Sequence, residues 1–418
     1  MDVTRLIHLF GNRNYALFSV GNTVSLIGSW IQRIALAWLL WELTKSPFWL
    51  GLVAAAGMVP VILVAPLAGT LADRFSQTRI IALCQLVAFL LIIGLYGVYS
   101  AGFLTIGTIV FFRVCISTVL SISQPTRMAL IPQLIEPELL TAGISFGALS
   151  FNIARFIGPA VAAALIAWGD FGVAFLVNAL SFLVLMVAVL MMRIPEHLEQ
   201  RTVKSEGVRR DILAAVEHIR GHPGISFVFL LYALIIVAGR PITEILPAFA
   251  DAVFERGVGG LAILTSAMAI GSIFGGLWSA VQQVFGLTRT AIVAGGLNVV
   301  AIAVFTWIPL FWPAVAVLTL SSMFTVIFGV ASQTLVQASV RETMRGRVMS
   351  LWFVIMRAGP PFGALLMGAL TSVLGLSLPF SIAALLCVVV CIAAWKKRSF
   401  LADSLEPPAR VLAQESHV

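Results

Sequence analysis

The chain has 418 residues, of which 60% are hydrophobic and 11% charged, and its mean hydropathy is +1.04. A soluble globular chain carries about 25% charged residues and about 45–50% apolar ones, so a soluble enzyme, a disordered chain and a nucleic-acid binder are all excluded. Twelve spans of about 21 residues use about 250 residues, which this composition supplies. The net charge of +8 resides mostly in short loops between apolar runs, where it sets orientation and does not mark an acidic partner.

Met1–Asn14 is short and polar, without the apolar core of a cleavable signal peptide. Apolar runs of spanning length then begin near Tyr15, Phe48, Arg79, Phe103, Ala142 and Phe171, and near Ile225, Val258, Thr288, Phe311, Val348 and Ser377. These form two groups of six, predicting an all-α integral membrane protein. Its divisions are an amino-terminal six-helix half at 1–192, a cytoplasmic connector at 193–224, a second half at 225–397 and a cytoplasmic tail at 398–418. Within the charged connector, Ile212, Ala215, Val216 and Ile219 recur at helical spacing, predicting a surface helix from Val208 to Arg220.

Lysine and arginine placement puts both termini in the cytoplasm. On that side fall Arg5, Arg13, Arg74, Arg79, Arg127, Arg193, Arg289, Arg345, Arg347 and the Lys396–Arg398 run, among others. The opposite side receives only Lys45 and Arg256, and Trp41, Trp49, Trp168, Trp307 and Trp312 form its aromatic belt. Cys84, Cys115, Cys387 and Cys391 all sit in apolar runs without metal-ligand spacing, as packing residues. The halves also repeat. Arg33 and Gly69 are separated by the same interval as Arg240 and Gly276, and Arg155-Phe-Ile-Gly158-Pro159 echoes Arg357-Ala-Gly359-Pro360. Repeated six-span halves predict a secondary transporter with its site between them.

Polar residues inside spans face the bundle or a water-filled path. The first span sets Asn22, Ser25, Ser29, Gln32 and Arg33 in one stripe, and the fourth does so with Arg113, Ser117, Ser121 and Gln124. The seventh carries Tyr232, Arg240, Thr243, Glu244 and Asp251, and the tenth carries Ser322, Thr325, Ser332 and Gln333. Spans three, six, nine and twelve hold only scattered polar residues such as Gln85, Asn178, Asn298 and Ser381. The first and fourth span of each half are therefore expected to line a cavity. The competing reading has each hydroxyl bonding back to its own helix.

Five arginines lie within spans: Arg33, Arg113, Arg155, Arg240 and Arg357. Each costs about 2.5–3.5 kcal/mol at a helix centre. Only Glu244 is a carboxylate well inside a span, and it stands four residues from Arg240, within pairing reach. The arginines either hold the bundle together or face a substrate that is an anionic or zwitterionic amphiphile. The four lysines include none in a phosphate-cradling glycine loop, and the five histidines all lie in loops or tails. ATP hydrolysis, a zinc site, a histidine relay and Ser-His-Asp chemistry thus have no basis, so no cofactor, no metal and no enzymatic activity are expected.

The loop Gly69-Thr-Leu-Ala-Asp73-Arg74 resembles the signature loop between helices 2 and 3 of the Major Facilitator Superfamily. Further stretches resemble its branch of bacterial exporters related to the enterobactin exporter and macrolide efflux proteins. They are Gly28–Ala35, Pro125–Pro132, Asn152–Pro159, Arg240–Pro247 and Arg345–Ser350. The resemblance implies that Asp73 latches onto the start of helix 11 at Gly346, Arg347 and Ser350 when the cytoplasmic side closes, with Arg74 beside it. Ser76, Gln77 and Thr78 depart from the family's glycine and basic residues, and the copy near Gly276 keeps no acid. Arg113 matches the helix-4 arginine, although Ser117 replaces a glycine. Gly158-Pro159 resembles the antiporter motif, with Ala162 and Ala163 replacing its later glycines.

These observations predict a monomeric twelve-helix transporter of the major facilitator fold, in two pseudo-symmetric halves, in the bacterial inner membrane. It would export an amphipathic small molecule, drug-like or siderophore-like, by proton antiport. The expected cavity residues are Asn22, Ser25, Ser29, Gln32, Arg33, Arg113, Ser117, Arg240, Thr243, Glu244, Thr325 and Gln333. Glu244 is the proton-coupling candidate, with a permanent Arg240 salt bridge as the other reading. Gly69, Asp73, Arg74, Gly346 and Arg347 form the latch. Partners are the substrate, protons and membrane lipids, with no nucleic acid. A lipid or lysophospholipid mover of the same fold, and a non-transporting membrane scaffold or sensor, are the rival functions.

Overall fold

A computed structural model describes residues 8–64, 75–168, 170–193, 208–282 and 286–406. Twelve helices are long and apolar enough to cross a membrane: α1 Arg13–Thr44, α2 Pro47–Val64, α3 Gln77–Ser100, α4 Ile106–Leu134, α5 Pro137–Trp168, α6 Phe171–Leu190, α7 Pro223–Val253, α8 Gly257–Val281, α9 Leu287–Trp307, α10 Phe311–Ser339, α11 Met344–Leu374 and α12 Leu378–Lys396. Each starts within five residues of its predicted position, because apolar length is the signal that both the sequence and the bilayer read. No strand occurs among the described residues.

The chain divides into two compact units. The first comprises residues 1–45, 53–204 and 256–266, and the second 46–52, 205–255 and 267–418. In the first, the Asn12 side chain accepts from the backbone N–H groups of Asn14 (3.0 Å) and Tyr15 (3.1 Å), capping α1. Its Nδ2 donates to Leu134 O at 2.7 Å, while Asn14 exchanges bonds with the Arg193 backbone at 2.9 and 3.1 Å. The beginning of α1 is thereby tied to the ends of α4 and α6, above a core that includes Leu9, Tyr15, Phe18, Leu130 and Leu185. Farther along, a Cβ on Gly28 would collide with Ser181 and meet Asn178 Oδ1 at 2.7 Å, so only glycine lets α1 lie this close to α6.

At the other end of α6, Asp170 holds a φ of 127°, a region costly for an L-residue. Its carboxylate accepts from Tyr99 OH and from the Phe171 N–H, which joins the ends of α3 and α6 and caps α6. Those bonds compensate for the backbone conformation.

The second unit is organised around stacked rings. Tyr232 of α7 lies between Phe328 of α10 at 5.5 Å and Trp352 of α11 at 4.0 Å, with Phe229 edge-on to Trp352 at 5.4 Å. The connector helix runs over Val208–Gly221 and buries Ala215 against this core. A tail helix, Arg398–Leu405, returns to the same unit, burying Leu401 and Leu405 and accepting from Ser339 Oγ at Leu405 O, 2.8 Å. Glu406 then accepts from the N–H groups of Gly286 and Thr288, both at 2.9 Å. A carboxylate from the tail thus caps α9, where the helix dipole favours negative charge.

One sequence expectation is corrected here. Arg127, counted among the loop arginines, lies inside α4 seven residues before its end, about 10 Å along the axis. α4 continues through both Pro125 and Pro132. The four cysteines are unpaired thiols, and Cys84, Cys387 and Cys391 are buried.

Glu406→Ala should remove the α9 cap and lower stability by about 1 kcal/mol. The measurement is thermal unfolding of the detergent-solubilised protein by tryptophan fluorescence, where Glu406→Ala melts below wild type and Glu406→Asp lies between them.

Candidate functional site

Along α1, the predicted stripe separates into committed and uncommitted groups. Asn22 Oδ1 accepts from Arg127 at 3.0 Å. Ser25 is buried, and its Oγ has no partner among the described residues. Ser29 Oγ donates to Ser25 O at 2.8 Å, the back-bonded arrangement. Gln32 is buried, and its Oε1 accepts from Asn178 Nδ2 of α6. Arg33 is exposed, with its guanidinium 5.1 Å from the centroid of the Trp30 ring. Trp30 in turn packs on Phe151 of α5 at 5.9 Å.

In α4, Arg113 is half-buried beside α2, where a Cβ on Gly57 would approach its Nε to 2.5 Å. Ser117 is buried, and its carbonyl accepts from Ser121 Oγ at 2.6 Å. Arg127 is only 5% exposed; its Nε donates to Ser123 Oγ at 3.0 Å and NH1 to Asn22. NH2 has no hydrogen-bond partner among the described residues. A fully charged guanidinium is thus held inside the first unit by two neutral acceptors.

In the second unit the decisive feature is a break in α7. One helical stretch, Pro223–Gly239, ends at Arg240, and the next runs over Ile242–Ala248. Pro241 has no N–H to continue the ladder, although Arg240 (φ −63°, ψ −27°) and Pro241 (φ −54°, ψ −27°) both keep helical dihedrals. The chain resumes with Thr243 N donating to Arg240 O (3.2 Å) and Glu244 N to Pro241 O (3.0 Å). Glu244 therefore stands in the first turn of a new helix, where a carboxylate is favoured. A second irregularity follows, with Phe254 N donating to Phe249 O, five residues back, at 3.0 Å. Gly363 of α11 lies against the break, since a Cβ there would meet Val237 O at 2.5 Å and the Pro241 ring at 2.7 Å. Arg240, Thr243 and Glu244 are each half-buried at this irregular segment.

In α10, Thr325 Oγ1 donates to Asn298 Oδ1 of α9 and shares its own Ser321 O, both at 2.9 Å, and Ser321 Oγ also donates to Asn298 at 2.9 Å. Gln333 is half-buried. Of the latch, Gly69, Asp73 and Arg74 lie outside the described residues. Gly346 is exposed, and Arg347 is half-buried near the start of α11. No cluster of three His, Cys, Asp or Glu side chains suited to a metal ion occurs among the described residues.

Asn178 and Asn298 stand in the sequence as scattered polar residues. Each is fully buried and serves as the partner of a polar stripe on the neighbouring helix. The available signal was a lone asparagine in an otherwise apolar span, which hydrocarbon tolerates only when a neighbour answers it.

A family model described as "Transmembrane secretion effector" matches residues 9–415. The chain belongs to this family, a branch of the Major Facilitator Superfamily. Among curated relatives, the staphyloferrin A transporter of Staphylococcus aureus is 26% identical over 85% of this chain and 89% of its own. Macrolide efflux protein A of Streptococcus pyogenes is 24% identical over 89% and 92%. A crystal structure of a bacterial homolog of the human lysosomal transporter Spinster, inward-facing and unoccupied, superposes with a TM-score of 0.72 at 15% identity, covering 95% of this chain and 99% of that one. This secretion-effector family member is thus a multi-pass bacterial membrane transporter of the major facilitator fold, not an enzyme.

Removing an acceptor from a buried guanidinium costs about 1.5–3 kcal/mol. Asn22→Leu should therefore lower the melting temperature of the purified transporter, while Asn22→Asp, which supplies a counter-charge, should melt at or above wild type. Equal melting of all three would remove Arg127 from the stability of the first unit.

Proposed function

We propose that this transporter exports an amphipathic small molecule, drug-like or siderophore-like and anionic in part, across the bacterial inner membrane by proton antiport. The observation that carries the reading is the broken α7, which sets Arg240 and Glu244 at adjoining helix ends within a span. Discontinuous helices of this kind present charge and backbone dipoles to a substrate or ion. Glu244 is the carboxylate at this irregular segment, and on this reading it carries the proton. The relatives named for a siderophore and for macrolide efflux support the amphipathic class of substrate.

On this reading the halves, 1–192 and 225–397, alternate access to the Asn22, Ser25, Ser29, Gln32, Arg33, Arg113, Ser117, Arg240, Thr243, Glu244, Thr325 and Gln333 positions, and both termini are cytoplasmic. Arg33, Arg113, Arg155 and Arg357 add arginine side chains to the spans, a composition that favours an anionic group on the substrate. Asp73, with Gly69 and Arg74, latches the cytoplasmic side onto Gly346 and Arg347. The transporter acts as a monomer.

Energised everted vesicles test the coupling. Addition of an anionic amphiphile should collapse the proton gradient in vesicles with the wild-type chain and leave it intact with Glu244→Gln. Collapse retained in the mutant removes Glu244 from coupling, and no collapse with any amphiphile removes antiport. For the latch, Asp73→Asn should lower transport at least several-fold at unchanged membrane content; wild-type turnover in that mutant refutes it.

A further inference from the structure

The second unit contains a cavity that takes no part in the α7 break. Its volume is about 360 Å³, and its lining comes from α8, α9, α10 and α12. At one end stand Arg289, in the first turn of α9, with Trp278 and Trp395. From there the lining follows Val293 and Leu297 of α9 and Phe324 of α10. Arg289 and Leu297 are eight residues apart on one helical face, so the apolar part extends about 12 Å toward the middle of the span. Trp278, Val293 and Leu297 are each at least 40% exposed, so the cavity opens on the outer face of the helices.

The charge at the polar end is one-sided. Arg289 lies 5.5 Å from the Trp395 ring centroid, and Arg398 lies 4.8 Å from it while donating to Trp395 O at 3.0 Å. Lys396 and Lys397 follow Trp395 directly. No acidic residue lines the cavity. Glu406, which reaches this end of α9, is already engaged by the Gly286 and Thr288 N–H groups. A hydrocarbon-lined groove that ends at tryptophans and the Arg289 guanidinium matches a molecule with an acyl chain and an anionic phosphate head.

We propose that this groove is a binding site for an anionic phospholipid, with Arg289 on the phosphate and an acyl chain along Val293, Leu297 and Phe324. A free anion would leave the apolar length unfilled, and a zwitterionic lipid would bring a second cation against Arg289. The site is separate from the substrate reading above and stands or falls without it.

Native mass spectrometry of the full-length protein in detergent, titrated with phosphatidylglycerol, phosphatidylcholine or inorganic phosphate, tests the proposal. Phosphatidylglycerol should bind at least tenfold more tightly than phosphatidylcholine. Arg289→Gln and the groove-filling Leu297→Trp should each weaken it about tenfold, while Arg220→Gln on the connector helix leaves it unchanged. Equal binding of the two lipids, unchanged binding in either groove variant, or displacement by inorganic phosphate overturns the proposal. A second arm needs no variant. In vesicles of phosphatidylcholine, brominated-chain phosphatidylglycerol added as a minor component should quench tryptophan fluorescence more than the same fraction of brominated-chain phosphatidylcholine. Equal quenching counts against the site.

Discussion

Hydrocarbon supplies no hydrogen-bond partner, so every polar side chain that enters a span must be answered by the protein or by a wet path. Most of this molecule's internal architecture follows from that constraint. Gln32 is answered by Asn178, Ser321 and Thr325 by Asn298, and Arg127 by Asn22 and Ser123. Each pairing fixes the rotation of one helix against its neighbour, which apolar packing alone leaves nearly free because one leucine face resembles another. Gly28 shows the coupling between the two kinds of contact. Its missing side chain brings α1 against Ser181 and Asn178, and that approach carries Gln32 into bonding range one turn later.

The break in α7 applies the same constraint in the opposite sense. An intact helix hides its backbone from lipid, whereas Pro241 interrupts the ladder inside the span. Gly363 of α11 packs directly against the interruption, where a Cβ would meet the Val237 carbonyl. Irregular backbone at this depth is kept where protein or a cavity surrounds it. Here it falls between Arg240 and Glu244, the charged pair of this span.

The polar ends of the second unit are built differently. The tail helix returns under the bundle, Glu406 caps α9 from more than a hundred residues away, and Trp395 carries two guanidiniums. Water and lipid headgroups make charge inexpensive at these ends, so charged side chains serve there in capping and cation–π contacts.

The twelve spans, the all-helical class and the superfamily are legible in the amino-acid order, because apolar length and a few signature stretches are local properties. So is the set of residues that are polar in an apolar setting. Which of them a neighbouring helix occupies emerges from packing alone. Asn178 and Asn298 look incidental until α1 and α10 are packed against them, and Arg127 reads as a loop arginine until α4 is seen to run on through Pro125 and Pro132. The break at Pro241 has a local cause, the missing N–H, whereas the residue packed against it, Gly363, lies more than a hundred residues distant. Helix length is set by transfer of each residue from water to hydrocarbon, a sum the sequence contains. Helix rotation and partner choice are set by contacts between segments, which exist only once the chain is packed.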